Sequence, residues 1–164
     1  MGTYTNALIC LNGHIVNSNS NGSPERNSNF CGKCGSETIN TCQKCGALIK
    51  GKYKVQGVVD IRGINAPSYC YNCGNPYPWT EKTIKKLTET FELAEVSKTD
   101  IIEIMDTLPD IIASTPTTEL SAYKINKIGS KFSGAASVAW AKVIRPLIVD
   151  ISSETAKRII KDGL

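Results

Sequence analysis

The chain has 164 residues, 41% apolar and 21% charged, with a mean hydropathy of −0.15. That describes a globular chain of one ordinary domain or two small ones, without an apolar run long enough to span a membrane. The formal charge is +4, and residues 80–164 carry 12 basic and 12 acidic side chains, which is not the strong basic excess of a phosphate-coating protein.

The N-terminus, MGTYTNALIC, has neither a positive n-region nor a long apolar h-region and does not read as a secretory signal. Residues 4–9 and 14–16 read as strands flanking a turn at Asn12-Gly13. Residues 17–29 (NSNSNGSPERNSN) are polar and low in complexity and read as a long mobile loop. Residues 47–54 and 55–61 read as a β-hairpin. Strands this short bury little surface and need another source of folding energy.

Seven cysteines and the lone histidine supply that source. They fall into four close pairs: Cys10 with His14, Cys31 with Cys34, Cys42 with Cys45, and Cys70 with Cys73. Eight ligands make two complete sets of four, the number that structural zinc takes. Each CxxC is followed by a glycine (Gly35, Gly46, Gly74) where the turn folds back. The odd cysteine count and the tight spacing argue against disulfides and for thiolates in a reducing cytoplasm. Sequential wiring gives Cys10, His14, Cys31 and Cys34 one zinc ion, and Cys42, Cys45, Cys70 and Cys73 the other. A cross-brace, first pair with third and second with fourth, is the alternative. With both metals bound, the thiolates reduce the chain's charge from +4 to about +1.

The composition changes at NPYPW, which sets a boundary between residues 1–79 and 80–164. Beyond it the apolar residues fall at helical spacing and predict about five helices. Thr80 is the expected N-cap of the first, with Trp79 stapled to Ile84; Ile84, Leu87, Phe91 and Ala94 form its stripe. Ser97 and Asp100 form a capping box for the second, which turns Ile101, Ile104, Met105 and Leu108 inward and ends or breaks at Pro109. Pro116 opens a third, burying Leu120, Tyr123, Ile125 and Ile128. A fourth, over residues 135–149, kinks near Pro146. A fifth starts at Ser152 or Ser153 and ends at Gly163. The fold class is therefore α+β: a double zinc ribbon of short antiparallel hairpins, then a helical bundle.

The run FCGKCG…TCQKCG…YCYNCGNPYPWTEK resembles tandem zinc ribbons. With CLNGH before it and the helical tail after it, nearly the whole chain resembles a bacterial family of uncharacterised proteins. The resemblance implies zinc-dependent binding modules and names no activity.

Four protein ligands per metal leave no open coordination position, and no second histidine exists to act as a base. An enzyme is thus the least favoured reading. The favoured one is a non-enzymatic zinc adaptor that binds a protein partner or itself, with the small-residue segment 134–141 as the contact face. The alternative is a nucleic-acid-binding regulator, using Lys44, Lys50, Lys52, Lys54 and Arg62 with Tyr53, Tyr69 and Tyr71. Against that alternative stands a plainer reading, in which these tyrosines cover the ribbon core.

Overall fold

The computed structural model describes residues 2–58 and 63–162. The chain divides into two compact units, Met1–Lys82 and Thr83–Leu164.

Among its described residues, the first unit has five short strands. β1 (Thr3–Asn6) pairs antiparallel with β5 (Lys50–Lys54), Tyr4 opposite Tyr53. The register slips between Tyr4 and Asn6, where Thr5 turns inward and its hydroxyl donates to Ser18 O (2.6 Å) and Lys52 O (3.2 Å). β2 (Leu8–Cys10) is the centre of a second sheet, between β3 (Ile15–Asn17) and β4 (Thr38–Ile39). Ala7, Ile9, Cys42, Ile49, Cys70 and Tyr77 form the buried core. It is small, as the short strands require.

Two expectations about this unit are overturned. β5 pairs with β1, and among the described residues it has no pairing with the segment after it, where Val58 N bonds back to Val55 O in a turn at Gly57 (φ 79°); residues 59–61 of the expected strand lie outside the described residues. Residues 17–29 are not an unstructured loop. Asn17 is buried; its amide donates to Ser23 O (2.9 Å) and Asn27 Oδ1 (2.8 Å), and its Oδ1 accepts from Asn19 N (2.9 Å). A 3-10 turn at Pro24–Arg26 completes the segment. Low apolar content signals disorder only when nothing else orders the backbone. Here short Asn and Ser side chains hydrogen-bond to it locally.

α1 (Pro78–Leu93) begins in this unit. Its first amides are held differently from the expectation. Tyr77 O accepts from Thr80 N and Glu81 N, while the Thr80 hydroxyl donates to Ser68 O (2.9 Å). Thr80 lies inside the helix and is not its cap. Trp79 stacks on Tyr77 (4.8 Å, 17°) and donates from Nε1 to Pro67 O (2.8 Å).

The second unit is helical. α2 (Lys98–Ala113) starts at Ser97, whose Oγ accepts from Asp100 N (3.1 Å), as the capping box predicts. It runs through exposed Pro109 and ends at Ser114, which has φ 59°. Buried Leu108, Ile111 and Ile112 on both sides of the proline hold the helix together where the missing N–H would break it. α3 (Thr118–Gly129) packs on α2 and α6, burying Ser121, Ala122, Ile125 and Ile128; Leu120 and Tyr123 are exposed, against expectation. Ile125 and Ile128 are buried as expected, while Thr118, Ser121 and Ala122 take the buried places expected for Leu120 and Tyr123, a choice that periodicity alone does not settle.

α4 (Gly134–Ala139), a π turn (Trp140–Ile144) and α5 (Arg145–Ile151) form one continuous rod. Pro146 has no N–H to offer the turn before it. The chain widens there, and Arg145 N reaches Trp140 O. α6 (Glu154–Asp162) packs on α2, α3 and α5; Gly163, its expected terminator, lies outside the described residues. Arg145 donates to Ile160 O and Lys161 O at its C-terminal turn, where a cation complements the helix dipole.

Candidate metal centres

Four knuckles carry the ligands, and three share one hydrogen-bond scheme. In each, the first cysteine's amide donates to the residue after the glycine, and the glycine amide donates back. The bonds are Cys31 N to Ser36 O and Gly35 N to Cys31 O; Cys42 N to Ala47 O and Gly46 N to Cys42 O; Cys70 N to Asn75 O and Gly74 N to Cys70 O. Gly35, Gly46 and Gly74 have φ of 68°, 74° and 70°, which explains the glycine in each CxxCG. The fourth knuckle is built alike: Cys10 N donates to His14 O and Gly13 N to Cys10 O, with Gly13 at φ 83°.

Folding gathers these pairs into two clusters. Cys10, His14, Cys31 and Cys34 form one; Cys42, Cys45, Cys70 and Cys73 form the other. Within each, all ligand atoms lie within 4.8 Å of one another. This is the grouping of the sequential wiring, not of the cross-brace.

The separations test whether a metal fits. Cys10 Sγ to Cys34 Sγ is 3.7 Å, Cys42 Sγ to Cys73 Sγ 3.8 Å, and Cys45 Sγ to Cys70 Sγ 3.7 Å. Sulfurs about 2.3 Å from a common tetrahedral centre stand about 3.8 Å apart. Cys31 Sγ to His14 Nδ1 is 3.6 Å; the same geometry with a nitrogen ligand gives about 3.6 Å. A disulfide needs about 2.0 Å, and all seven cysteines are free. The donor set fits zinc, with one imidazole and seven thiolates.

Around the sulfurs stands a set of donors that the cysteine spacing does not reveal. Asn12 Nδ2 points to Cys34 Sγ (3.5 Å), Asn72 Nδ2 to Cys45 Sγ (3.6 Å) and Asn75 Nδ2 to Cys73 Sγ (3.4 Å). Lys82 Nζ donates to Asn12 Oδ1 (2.8 Å) and so orients that amide. The signal was in the knuckles, where Asn stands before His14 by two residues, before Cys73 by one, and after Gly74 by one. Such outer contacts tune ligand basicity. The amide and hydroxyl of Ser36 bring Cys34 down to about 5. Hydrogen bonds from Asn75 lower Cys73. Burial opposes ionisation of Cys70, but the amides of Cys73 and Asn72 together with the thiols of Cys42 and Cys45 outweigh it and bring the thiol to about 6. Burial raises Cys10, and it raises Cys42 to about 11. Burial, then its hydrogen bond to Cys70, holds the Tyr77 phenol far above its usual value.

Of the expected basic aromatic residues, Tyr53 and Tyr71 are exposed and Tyr69 is half-buried; Arg62 lies outside the described residues. Segment 134–141 is largely exposed, and α4 contributes no buried side chain. No helix among the described residues is long and apolar enough to cross a membrane.

The fold and the two clusters define an α+β protein, a double zinc ribbon followed by five helical rods. The chain belongs to the family described as "uncharacterized protein conserved in bacteria" (DUF2321), whose model matches residues 3–160. No curated protein and no solved structure matches it.

Proposed function

We propose that this protein is a non-enzymatic adaptor built on two structural zinc sites, one held by Cys10, His14, Cys31 and Cys34 and the other by Cys42, Cys45, Cys70 and Cys73. The observation that carries this reading is the tetrahedral edge length of 3.6–3.8 Å in both clusters. Zinc, when bound, ties the knuckles together and supplies folding energy that the small ribbon core lacks. Four protein ligands fill each site, so neither keeps the open position that zinc catalysis uses. Seven free thiols support a reducing compartment, the cytoplasm. Chelation should unfold the ribbon unit, with loss of its strand signal in circular dichroism and recovery on adding zinc. A protein that keeps its full stability after complete zinc removal would overturn the structural role.

The partner face is the exposed side of α4. Val138 is 55% exposed, flanked by Gly134, Ala135, Ser137 and Ala141. Small residues permit close helix approach, and an uncovered apolar strip is a common contact surface. Self-association through this face is the reading to test first. Val138→Glu should keep the zinc content and helical signal of the wild type yet run as a smaller species in light scattering. A wild type that is monomeric at high concentration would remove self-association.

A further inference from the structure

The β1–β5 ribbon, with the Cys70 knuckle beside Lys50, carries a strip of exposed rings and cations that the adaptor reading leaves unused. Tyr4, Tyr53 and Tyr71 are 54%, 50% and 58% exposed, so none of them covers the core; the buried aromatic there is Tyr77. Tyr4 and Tyr53 are opposite each other in the sheet, with centroids 4.9 Å apart. Lys50 Nζ lies 4.9 Å from the Tyr4 centroid and 4.0 Å from that of Tyr71, and so bridges the two rings. Beyond Tyr53 the strip runs into a groove of about 380 Å³. Arg26, Lys52 and Lys54 line it, and among the described residues no carboxylate does.

The groove is built, not incidental. One wall is the C-terminal half of β5; the other is the segment from Asn17 to Arg26. That segment is fixed by the buried Asn17 side chain and by Asn27 Nδ2 donating to Ser20 O (3.0 Å), and Lys52 N docks it to β5 through Ser18 O (3.2 Å). An ordered wall that brings Arg26 to the side of Lys54 concentrates positive charge in a chain whose total is nearly balanced.

We propose that this face binds single-stranded nucleic acid, with phosphates held by Arg26 and Lys54 and unstacked bases laid on Tyr53, Tyr4 and Tyr71. Exposed rings alternating with cations are the stacking platform and electrostatic track that single strands use. A duplex keeps its bases stacked and offers the rings nothing. An acidic peptide answers the lysines and leaves the rings unexplained. The proposal goes beyond the adaptor reading and does not depend on α4. Its failure would leave the zinc and self-association tests untouched.

The test uses the full zinc-loaded chain and fluorescently labelled oligo(dT) and oligo(U) of about a dozen nucleotides, read by anisotropy. Either probe should bind with micromolar affinity at low salt and weaken steeply between about 50 and 200 mM salt. Tyr71→Ala should weaken binding about five-fold or more. Arg26→Glu should weaken it and flatten the salt dependence. Both residues are exposed, and retained zinc content and circular dichroism would show that the variants are folded. Absence of binding by the wild type up to about 100 µM at low salt would overturn the proposal. So would equal competition by duplex DNA or by oligo-glutamate, or a Tyr71→Ala variant that binds like the wild type.

Discussion

Cys42 Sγ stands 3.8 Å from Cys73 Sγ, although 31 positions separate the two residues in the chain. The contact joins two knuckles of the same design, and the first cluster repeats it. Each cluster also has an exposed cysteine, Cys34 in one and Cys45 in the other. Serine at an exposed ligand position removes a zinc–sulfur bond with little change in packing. Elemental analysis should give two zinc ions for the wild type. Cys34→Ser and Cys45→Ser should each give one. Loss of both ions from either variant would show that the clusters do not load independently.

The knuckle glycines make a sharper test. Gly46 has φ 74°, and nothing lies within 4 Å of where a Cβ would stand. Gly32 has equally open surroundings and no positive φ. Gly46→Ala should therefore lose about 1 kcal/mol or more in denaturant unfolding through backbone strain alone. Gly32→Ala should be close to neutral. Equal losses in the two variants would mean that space, not conformation, governs the position.

The metal clusters were legible because their chemistry is local. A CxxCG fixes its own turn, and the count of eight ligands leaves none over. The Ser97 cap and the irregularity before Pro146 were legible for the same reason. The partner of β5 was not: strand alternation shows that residues 50–54 are extended, but β1 lies at the other end of the ribbon unit's sequence, and nothing local names it. Leu120 and Tyr123 were misplaced because the first turns of α3 bury Thr118, Ser121 and Ala122 instead. Ile125 and Ile128 were placed correctly, so hydrophobicity found the later turns of the stripe and missed its start.

The segment after β3 was misread most completely, and Asn17 is the residue on which to test the corrected view. It is buried and makes three hydrogen bonds through its side chain. Asn17→Ala would remove its bonds to Ser23 O, Asn27 Oδ1 and Asn19 N; Ser23 O keeps Arg26 N. An unmet buried polar group costs about 1–3 kcal/mol. The variant should be destabilised by about 2 kcal/mol with two zinc ions still bound. A neutral result would restore the loop to the status of a tether.

Asp110 joins α2 to α3. Its carboxylate accepts from the hydroxyls of Thr115 (3.0 Å) and Ser121 (3.1 Å). These donors, Thr115 foremost, hold its carboxyl below the ordinary aspartate value. A depressed value in the folded state means that the ionised form is bound better than in the unfolded chain. Its contribution to stability is thus present above the ordinary aspartate range and is lost as pH falls through the depressed value. NMR titration of the Asp110 carboxyl should place its midpoint below that of a free aspartate. Asp110→Ala should be less stable than the wild type at neutral pH, with the difference narrowing in acid. A midpoint at or above the free value would show that the hydroxyls do not favour the anion.

Gly129, at the end of α3, is fixed by the indole of Trp140. A Cβ there would fall inside the Trp140 ring system. Trp140 is itself buried and packs edge-on against Phe132 at 5.6 Å, with ring planes at 81°. It is also the first residue of the π turn, so the ring cannot move without disturbing the widened part of the rod. Gly129→Ala should cost about 1–3 kcal/mol, the usual penalty for overfilling a packed site. That loss outweighs the small gain that alanine brings to a helix. The signature is optical as well as thermodynamic. An indole forced from its pocket becomes wetter, and tryptophan emission should shift to the red. Trp79→Phe as a background isolates the Trp140 signal. The alanine variant in that background should show the red shift together with lower stability. Unchanged emission and stability would mean that α3 and the π turn separate easily, and that Gly129 is not the close contact on which the rod is seated.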